Sequence, residues 1–264
     1  AQDSTVSLAP VSRAVVTGAG PSLEAQVEHI PRLRAGGCLI ASDTSLPALR
    51  QYGIVPDIVV SIDCQHVSYH HFLQGIPPQV PLVLDLASPP LLARLAPRAL
   101  FFASGHPLSR LLAQRWRPLP LLDTSGGNVS HAAVSLALQL GAREVSLLGV
   151  DFSYPEGKAY SRGTYLYPVF HCAEQRLRPL EGQFFSFLMR NDSLTRERTA
   201  EGLRYSTPTL RAYRDRLQAL ADSAPGRVAA LPGKGLPLRA QGASPPQHLA
   251  MRAREDLCTH ARWR

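Results

Sequence analysis

The segment Ala14-Val15-Val16-Thr17-Gly18-Ala19-Gly20-Pro21-Ser22-Leu23 decides the fold. A short β-branched run stops at a glycine, small residues and a proline follow, and Leu23 to Leu33 then places apolar side chains at helical spacing before Gly36-Gly37. Strand, tight turn and helix therefore follow within about 20 residues. The pattern recurs downstream. Cys38-Leu39-Ile40-Ala41 reads as a second strand and Leu46 to Tyr52 as a helix closed by Gly53. Asp57-Ile58-Val59-Val60-Ser61-Ile62, the most β-branched run in the chain, is a third strand that delivers Asp63 at its C-terminal end. Val80 to Leu84 and Ala99 to Ala103 read as two more, separated by a Leu-rich helical stretch from Pro90 to Leu95. Val129 to Leu140 is helical up to Gly141, and Glu144 to Leu148 is a sixth strand leading into Gly149-Val150-Asp151. This alternation predicts a Rossmann-like α/β fold, a mainly parallel sheet flanked by helices.

Beyond Asp151 the periodicity fades. Aromatic residues, Gly and Arg dominate from Phe152 to about Thr207, which in an α/β protein indicates an irregular insertion or lid. Leu210 to Leu220 is a further helix and Val228 to Leu231 a last strand. The expected organisation is one domain over residues 1–240, with its insertion at about 152–207, and an Arg-rich, partly mobile tail over 241–264. At 264 residues and 45% hydrophobic content, the chain can bury a substantial core. Its first residue is not Met, which points to a trimmed chain or a piece of a longer one.

Composition narrows the class. No apolar run approaches the ~20 residues needed to span a bilayer, and Ala1 to Pro10 lacks the charged and apolar regions of a signal peptide, so the expected location is cytoplasmic. Cys38, Cys64, Cys172 and Cys258 form no C-x-x-C pair, which argues against a disulfide scaffold or a structural zinc site. The net charge of +8 is unevenly placed: residues 1–189 carry 14 basic and 13 acidic residues, residues 190–264 carry 14 and 7. With no interleaved aromatic motif, this excess reads as a solvated Arg-rich face, not a specific nucleic-acid surface.

Three groups of residues carry candidate chemistry. Gly18, Ala19, Gly20, Pro21 and Ser22 form a turn that lets the backbone approach a phosphate and opens a helix whose free N–H groups suit an anion. It is neither a Walker A loop, lacking the Lys-Ser/Thr pair, nor a full G-x-G-x-x-G. Thr124, Ser125, Gly126, Gly127 and Asn128 form a second donor-rich loop before the helix at Val129. Two such loops at one sheet edge would converge on the crevice where open α/β sheets bind ligands. Third, Asp43, Asp63 and Asp151 follow strands, where carboxylates accept ribose hydroxyls, hold a divalent ion, take a proton, or merely cap a turn. Thr44 adjoins Asp43, while Tyr154 and Tyr160 lie where they could donate to a phosphate oxygen. The histidines give no metal-binding pattern; His70-His71 follows the Asp63 loop and either reaches the same edge or lies on the surface. No G-x-S-x-G elbow is present, which disfavours a serine hydrolase.

Gly18-Ala19-Gly20-Pro21-Ser22-Leu23, Pro56 to Asp63, and Gly127-Asn128-Val129-Ser130 through Gly149-Val150-Asp151 resemble the family of motility-associated-factor flagellin glycosyltransferases and archaeal 6-hydroxymethylpterin diphosphokinases. Thr124-Ser125-Gly126, Ala137 to Gly141, Glu144 and Gly149 to Phe152 are similar to bacterial sialyltransferases that use a CMP-activated sugar. The resemblance spans about residues 14–160. It implies a sialyltransferase-like nucleotide-binding fold with the two Gly loops, Asp43 and Thr44 around the nucleotide, and Tyr154 and Tyr160 at the leaving phosphate. The implied reaction moves a sialic-acid-like sugar from a CMP donor to a hydroxyl acceptor, such as Ser/Thr of flagellin, with no metal. Sialyltransferases place a general-base His just before the helix corresponding to Leu210–Leu220, and here that stretch reads Leu203-Arg204-Tyr205-Ser206-Thr207. Asp63 and Asp151 are the substitutes. The alternative implied by the resemblance is pyrophosphoryl transfer from ATP to a hydroxymethyl pterin, with Mg2+ on Asp63 and Asp151. A third reading is a non-catalytic domain that binds a nucleotide, or an acidic partner through its Arg-rich third.

Overall fold

A computed structural model describes residues 8–116 and 118–239, so the Arg-rich tail of 241–264 and Cys258 lie outside the described residues. Seven strands form a wholly parallel sheet: β1 (Arg13–Thr17), β2 (Cys38–Ser42), β3 (Ile58–Ser61), β4 (Leu82–Asp85), β5 (Ala99–Phe102), β6 (Glu144–Leu148) and, late in the chain, the last strand Val228–Ala230. That last strand pairs with β6, which pairs with β1, and β2 to β5 follow outward from β1. The chain thus runs from β1 to one edge, returns to β6 on the other side of β1, and creates a topological switch point between β1 and β6.

Alternation along β1 divides the core. Val16 faces one side with Ile40, Val60, Val83 and the helix Val129–Gln139, which buries Ala133, Leu136 and Ala137. Val15 faces the other with Leu39, Val59 and Leu84, against Leu23, Ile30, Leu49 and Phe72. Helices cover both faces, which is why these strands read as continuous apolar runs. Leu136 is fully buried, and Leu136→Ala would cost about 2–5 kcal/mol through lost burial and the cavity left behind.

Several elements differ from expectation, two of them near the site. The single helix expected over Leu23–Leu33 is divided into Leu23–Gln26, a 3-10 turn at Val27–His29, and Ile30–Arg34. Pro31 has no N–H to give to the Val27 carbonyl, which accepts from Ile30 instead and tightens the turn. The insertion is more regular than its composition indicated. It holds β7 (Tyr154–Pro155), β8 (Thr195–Thr199) and β9 (Gly202–Ser206) in an antiparallel sheet of order β7-β9-β8, and the helices Leu166–Cys172 and Leu180–Leu188. Its own apolar cluster packs Leu166, Tyr167, Phe184 and Leu188. With these named, the last sheet strand Val228–Ala230 is β10. Among the described residues no helix is long and apolar enough to cross a membrane.

Candidate functional site

The loop after β1 is stitched to the exit of β6. Gly18 N–H donates to the Leu148 carbonyl (2.8 Å), Gly20 N–H to that of Gly149 (2.7 Å), and Ser22 N–H to Asp151 Oδ2 (2.8 Å). A side chain at Gly18 would put a Cβ 2.5 Å from the Gly149 carbonyl oxygen, and one at Gly20 would overlap the Asp151 carboxylate. The glycines are therefore required by close approach of protein to protein. Pro21 and Ser22 open the short helix Leu23–Gln26, but Ser22 makes no capping bond: its Oγ accepts from Lys234 N–H (3.1 Å). The Ala19 carbonyl accepts from Ser161 N–H (2.8 Å), tying the insertion to the loop. Asp151 is buried, and burial pushes its carboxyl pKa up against the lowering effect of the Ser22 and Gly235 donors. Its Oδ2 accepts from the Ser22 N–H, so the carboxylate is directed at backbone donors of its own chain.

The second loop is built differently. Gly127, at φ +71°, turns the chain with its N–H on the Thr124 carbonyl (2.9 Å). Asn128 caps the helix Val129–Gln139: its Oδ1 accepts from His131 N–H (3.0 Å), and its Nδ2 donates to the Gly126 carbonyl (3.1 Å). Ser125 N–H donates to Asp123 Oδ1, and Arg216 Nη1 donates to the Ser125 carbonyl. The His131 ring fills the space beside Gly126 and leaves no room there for a Cβ. Burial lowers the pKa of His131, which Asp123 partly offsets. Among the described residues, the N–H groups of Val129 and Ser130 have no acceptor, as expected in the first turn of a helix. Ser130 Oγ lies 3.2 Å from the point a Gly18 Cβ would occupy, so the two loops meet at the switch point.

The third group lies over the exits of β2 and β3. Asp43 follows β2 in the 3-10 segment Asp43–Ser45 and is 1% exposed. Its Oδ1 accepts from Thr44 N–H (2.6 Å) and Thr44 Oγ1 (3.0 Å), and its Oδ2 from Ser61 Oγ (2.6 Å). Asp63 lies two residues beyond β3, half-buried, with Oδ1 accepting from Gln65 N–H (2.8 Å). Tyr160 is held far above the ordinary phenol range by burial first, then by the neighbouring Tyr165, Tyr154, Asp43 and Asp63. The structure therefore brings Asp43, Thr44, Asp63, Tyr154 and Tyr160 into one environment. It adds three residues that the sequence reading left out of the site: Ser61, His71 and Tyr165. Only the adjacency of His70-His71 to the Asp63 loop signalled any of them. Beside this group opens a cleft of about 820 Å³, bounded by Pro47, Arg50, His71, Arg162, Tyr165 and Tyr167.

Fold and site together define a doubly wound α/β domain whose polar groups gather at the carboxyl ends of β1, β2, β3 and β6. Residues 3–157 match the family described as 6-hydroxymethylpterin diphosphokinase MptE-like, and the chain belongs to that family. A protein of Treponema pallidum (strain Nichols) described as uncharacterized is 38% identical over 148 residues, covering 54% of this chain and 52% of the relative. A second from the same organism is 28% identical over 148 residues, covering 51% and 38%. The structure of the MAf glycosyltransferase from Magnetospirillum magneticum AMB-1 superposes with a TM-score of 0.59 at 20% identity, covering 85% of this chain and 32% of the other. The chain spans about half the length of the first relative and about a third of that structure.

Proposed function

We propose that this domain is a nucleotide-dependent glycosyltransferase that moves a sialic-acid-like sugar from a CMP-activated donor to a hydroxyl acceptor, for which a flagellin Ser or Thr is the candidate. The observation that carries this reading is the character of the donors at the switch point. The donors themselves are neutral: the open N–H groups of Val129 and Ser130, the hydroxyls of Ser125 and Thr124 and, over the neighbouring strands, the phenols of Tyr154 and Tyr160, while the one guanidinium described at the second loop, Arg216, donates to the Ser125 carbonyl. The only two lysines of the chain are engaged elsewhere, Lys158 with Glu24 (2.6 Å) and Lys234 with Glu156 (2.7 Å). Neutral donors at a helix N-terminus suit the single phosphate of a departing CMP. A triphosphate needs more positive charge.

In this reading the second loop receives the phosphate, the Asp43–Thr44 turn receives the ribose or sugar hydroxyls, and the acceptor hydroxyl attacks the anomeric carbon. Asp63, open at the rim, is the carboxylate of the reacting edge. Asp151 is a positioning residue that fixes the first loop through Ser22. The likeness to the MAf glycosyltransferase adds support because its 85% coverage extends well past residue 157, where the family match stops.

The family description favours a second reading, pyrophosphoryl transfer from ATP to a hydroxymethyl pterin with Mg2+. Calorimetric titration of the domain with CMP, and with ATP with and without Mg2+, separates the two. CMP binding that survives EDTA supports sugar transfer, Mg-dependent ATP binding supports the pterin reaction, and binding of neither points to a non-catalytic domain.

A further inference from the structure

The sialyltransferase-type base is absent from the strand before the helix Pro208–Ser223, where Ser206 and Thr207 stand; Thr207 Oγ1 caps that helix by accepting from Leu210 N–H (3.2 Å). An imidazole reaches the same sheet edge from elsewhere. The chain leaving β3 turns through the 3-10 segment His66–Phe72, which packs back on the Asp43–Ser45 turn and brings His71 Nε2 to 3.4 Å from Thr44 Oγ1. The hydrogen-bond order points to one tautomer. Asp43 accepts only, so Thr44 Oγ1 donates to it and is left to accept the Nε2–H of His71. The lone pair of the ring then sits on Nδ1. That atom is buried without any partner in a side chain only 9% exposed, and His71 lines the 820 Å³ cleft.

We propose that this cleft is the acceptor site and that Nδ1 of His71 removes the proton of the attacking hydroxyl, an inference that rests on the glycosyl-transfer reading. The acceptor O–H bond breaks, its oxygen forms the bond to the anomeric carbon, the bond from that carbon to the phosphate oxygen breaks, and CMP leaves with the electron pair. The proton stays on Nδ1. Thr44 and Asp43 orient the ring, and the carboxylates of Asp43 and Asp63 stabilise the imidazolium that forms. Tyr165 closes the ring from the insertion side, edge-on at 4.9 Å, and stacks on His70 at 5.9 Å. The cleft walls are mixed. Pro47, Leu73, Pro168 and Val169 are apolar, and Arg50 and Arg162 bring positive charge to a hydroxyl-bearing acceptor with a polar or anionic flank.

The groups facing His71 set its titration. Burial lowers its pKa, Asp43 and Asp63 raise it, and His70 lowers it further; the net direction is down from 6.5, so the ring is neutral and able to accept a proton at pH 7.5.

Two measurements on the full chain test this. In 15N-histidine NMR at pH 7.5, with His71 assigned by its loss in His71→Gln, Nδ1 should show the shift of an unprotonated ring nitrogen. A protonated Nδ1 overturns the assignment, and this readout needs no turnover. With CMP-activated N-acetylneuraminic acid as donor and water as acceptor, CMP release by the wild type should fall at low pH with a midpoint below 6.5. His71→Gln should lose about 10²- to 10⁴-fold in rate and lose that limb, with CMP affinity within twofold. Asp63→Asn should keep the limb and move it to lower pH. A His71→Gln rate within threefold of wild type sinks the proposal. A wild type that neither binds CMP nor releases it sinks the glycosyl-transfer reading, and the NMR result then still decides which ring nitrogen is free.

Discussion

The two glycine loops at the switch point share a sequence pattern and differ in what they leave open. In Gly18–Ser22 the N–H groups of Gly18, Gly20 and Ser22 are satisfied by Leu148, Gly149 and Asp151. In Thr124–Asn128 the internal bonds shape the turn and cap the helix, while the first-turn N–H groups of Val129 and Ser130 stay open. The loop that looks more like a phosphate-binding turn is thus a fastening between two strands. Glycine spacing alone does not separate these cases, because a glycine needed for approach to a ligand and one needed for approach to a neighbouring strand look alike.

The sharpest break of this contrast is at Gly20. Gly20→Ala drives a Cβ into the Asp151 carboxylate and to 2.7 Å from the Gly149 carbonyl oxygen, so it should destabilise the free domain by about 1–3 kcal/mol in urea unfolding. An unchanged midpoint with lost CMP binding would return the first loop to the nucleotide site. Asp151→Asn should be milder, because the amide oxygen can still accept from Ser22 N–H, with the remaining cost set by the amide NH2 that then faces the Gly235 N–H. A loss of 10²-fold or more in CMP release, with stability intact, would make Asp151 part of the chemistry.

On the second loop, Asn128→Ala removes the cap and should cost about 1 kcal/mol. It should also weaken CMP binding severalfold, since the open donors of Val129 and Ser130 fray with the first turn. A stability loss of that size with unchanged CMP affinity would detach the helix terminus from the ligand.

The same loop should show in the pH dependence of stability. His131 and His71 both have folded pKa values below the ordinary 6.5 because burial disfavours their charged forms. A depressed pKa contributes stability that is present above 6.5 and lost as pH falls through the folded value, since the unfolded chain takes up protons first. Stability, read as melting temperature, should therefore drop as pH falls below about 6.5. Asp151 has the opposite sign. Its raised pKa gives stability present below about 3.9 and lost as pH rises through its folded value, so it cannot produce a loss on acidification in the histidine window. His131→Asn should flatten the acid side, and an unflattened profile would place the titrating group elsewhere.

Much of the central sheet was legible because its strands are buried on both faces and its helices on one. Cys38–Ser42 and Glu144–Leu148 lie within a residue of where periodicity put them, and Pro90–Leu95 coincides with its expected range. The insertion was not legible, for physical reasons. Strand β8, Thr195-Arg196-Glu197-Arg198-Thr199, is exposed over four of its five residues, so neither face imposes an apolar alternation. The helix Pro107–Arg115 was missed because it leaves Leu108, Leu111 and Leu112 exposed and buries Ser109. At the site, Asp43, Asp63 and Asp151 look equivalent as residues that follow strands. Only packing distinguishes a carboxylate holding a threonine and a serine, one at an open rim, and one fastening a loop. His71 was seen as a neighbour of the Asp63 loop, but its contact with Thr44 depends on how the His66–Phe72 segment turns back.

The smallest expected effect bears most directly on which nucleotide is used. Lys158 and Lys234 are the only lysines in the chain, and each holds a glutamate at 2.6–2.7 Å. Lys234 sits next to Gly233, whose Cβ position would fall against Ser22, so its backbone borders the first loop while its ammonium points to Glu156. If the ligand carries one phosphate held by neutral donors at the second loop, Lys158→Met and Lys234→Met should change CMP affinity by less than threefold. The stability cost should stay within about 1 kcal/mol for the solvent-exposed Lys234–Glu156 pair and be larger for the part-buried Lys158–Glu24 pair. A triphosphate would draw one of these ammonium groups away from its glutamate, because charge-assisted contacts to phosphate exceed a surface pair in strength. In that case one of the two substitutions should weaken ATP binding tenfold or more and leave CMP untouched. Such a split would transfer the domain to pyrophosphoryl chemistry and make the first loop, beside Lys234, the phosphate site after all.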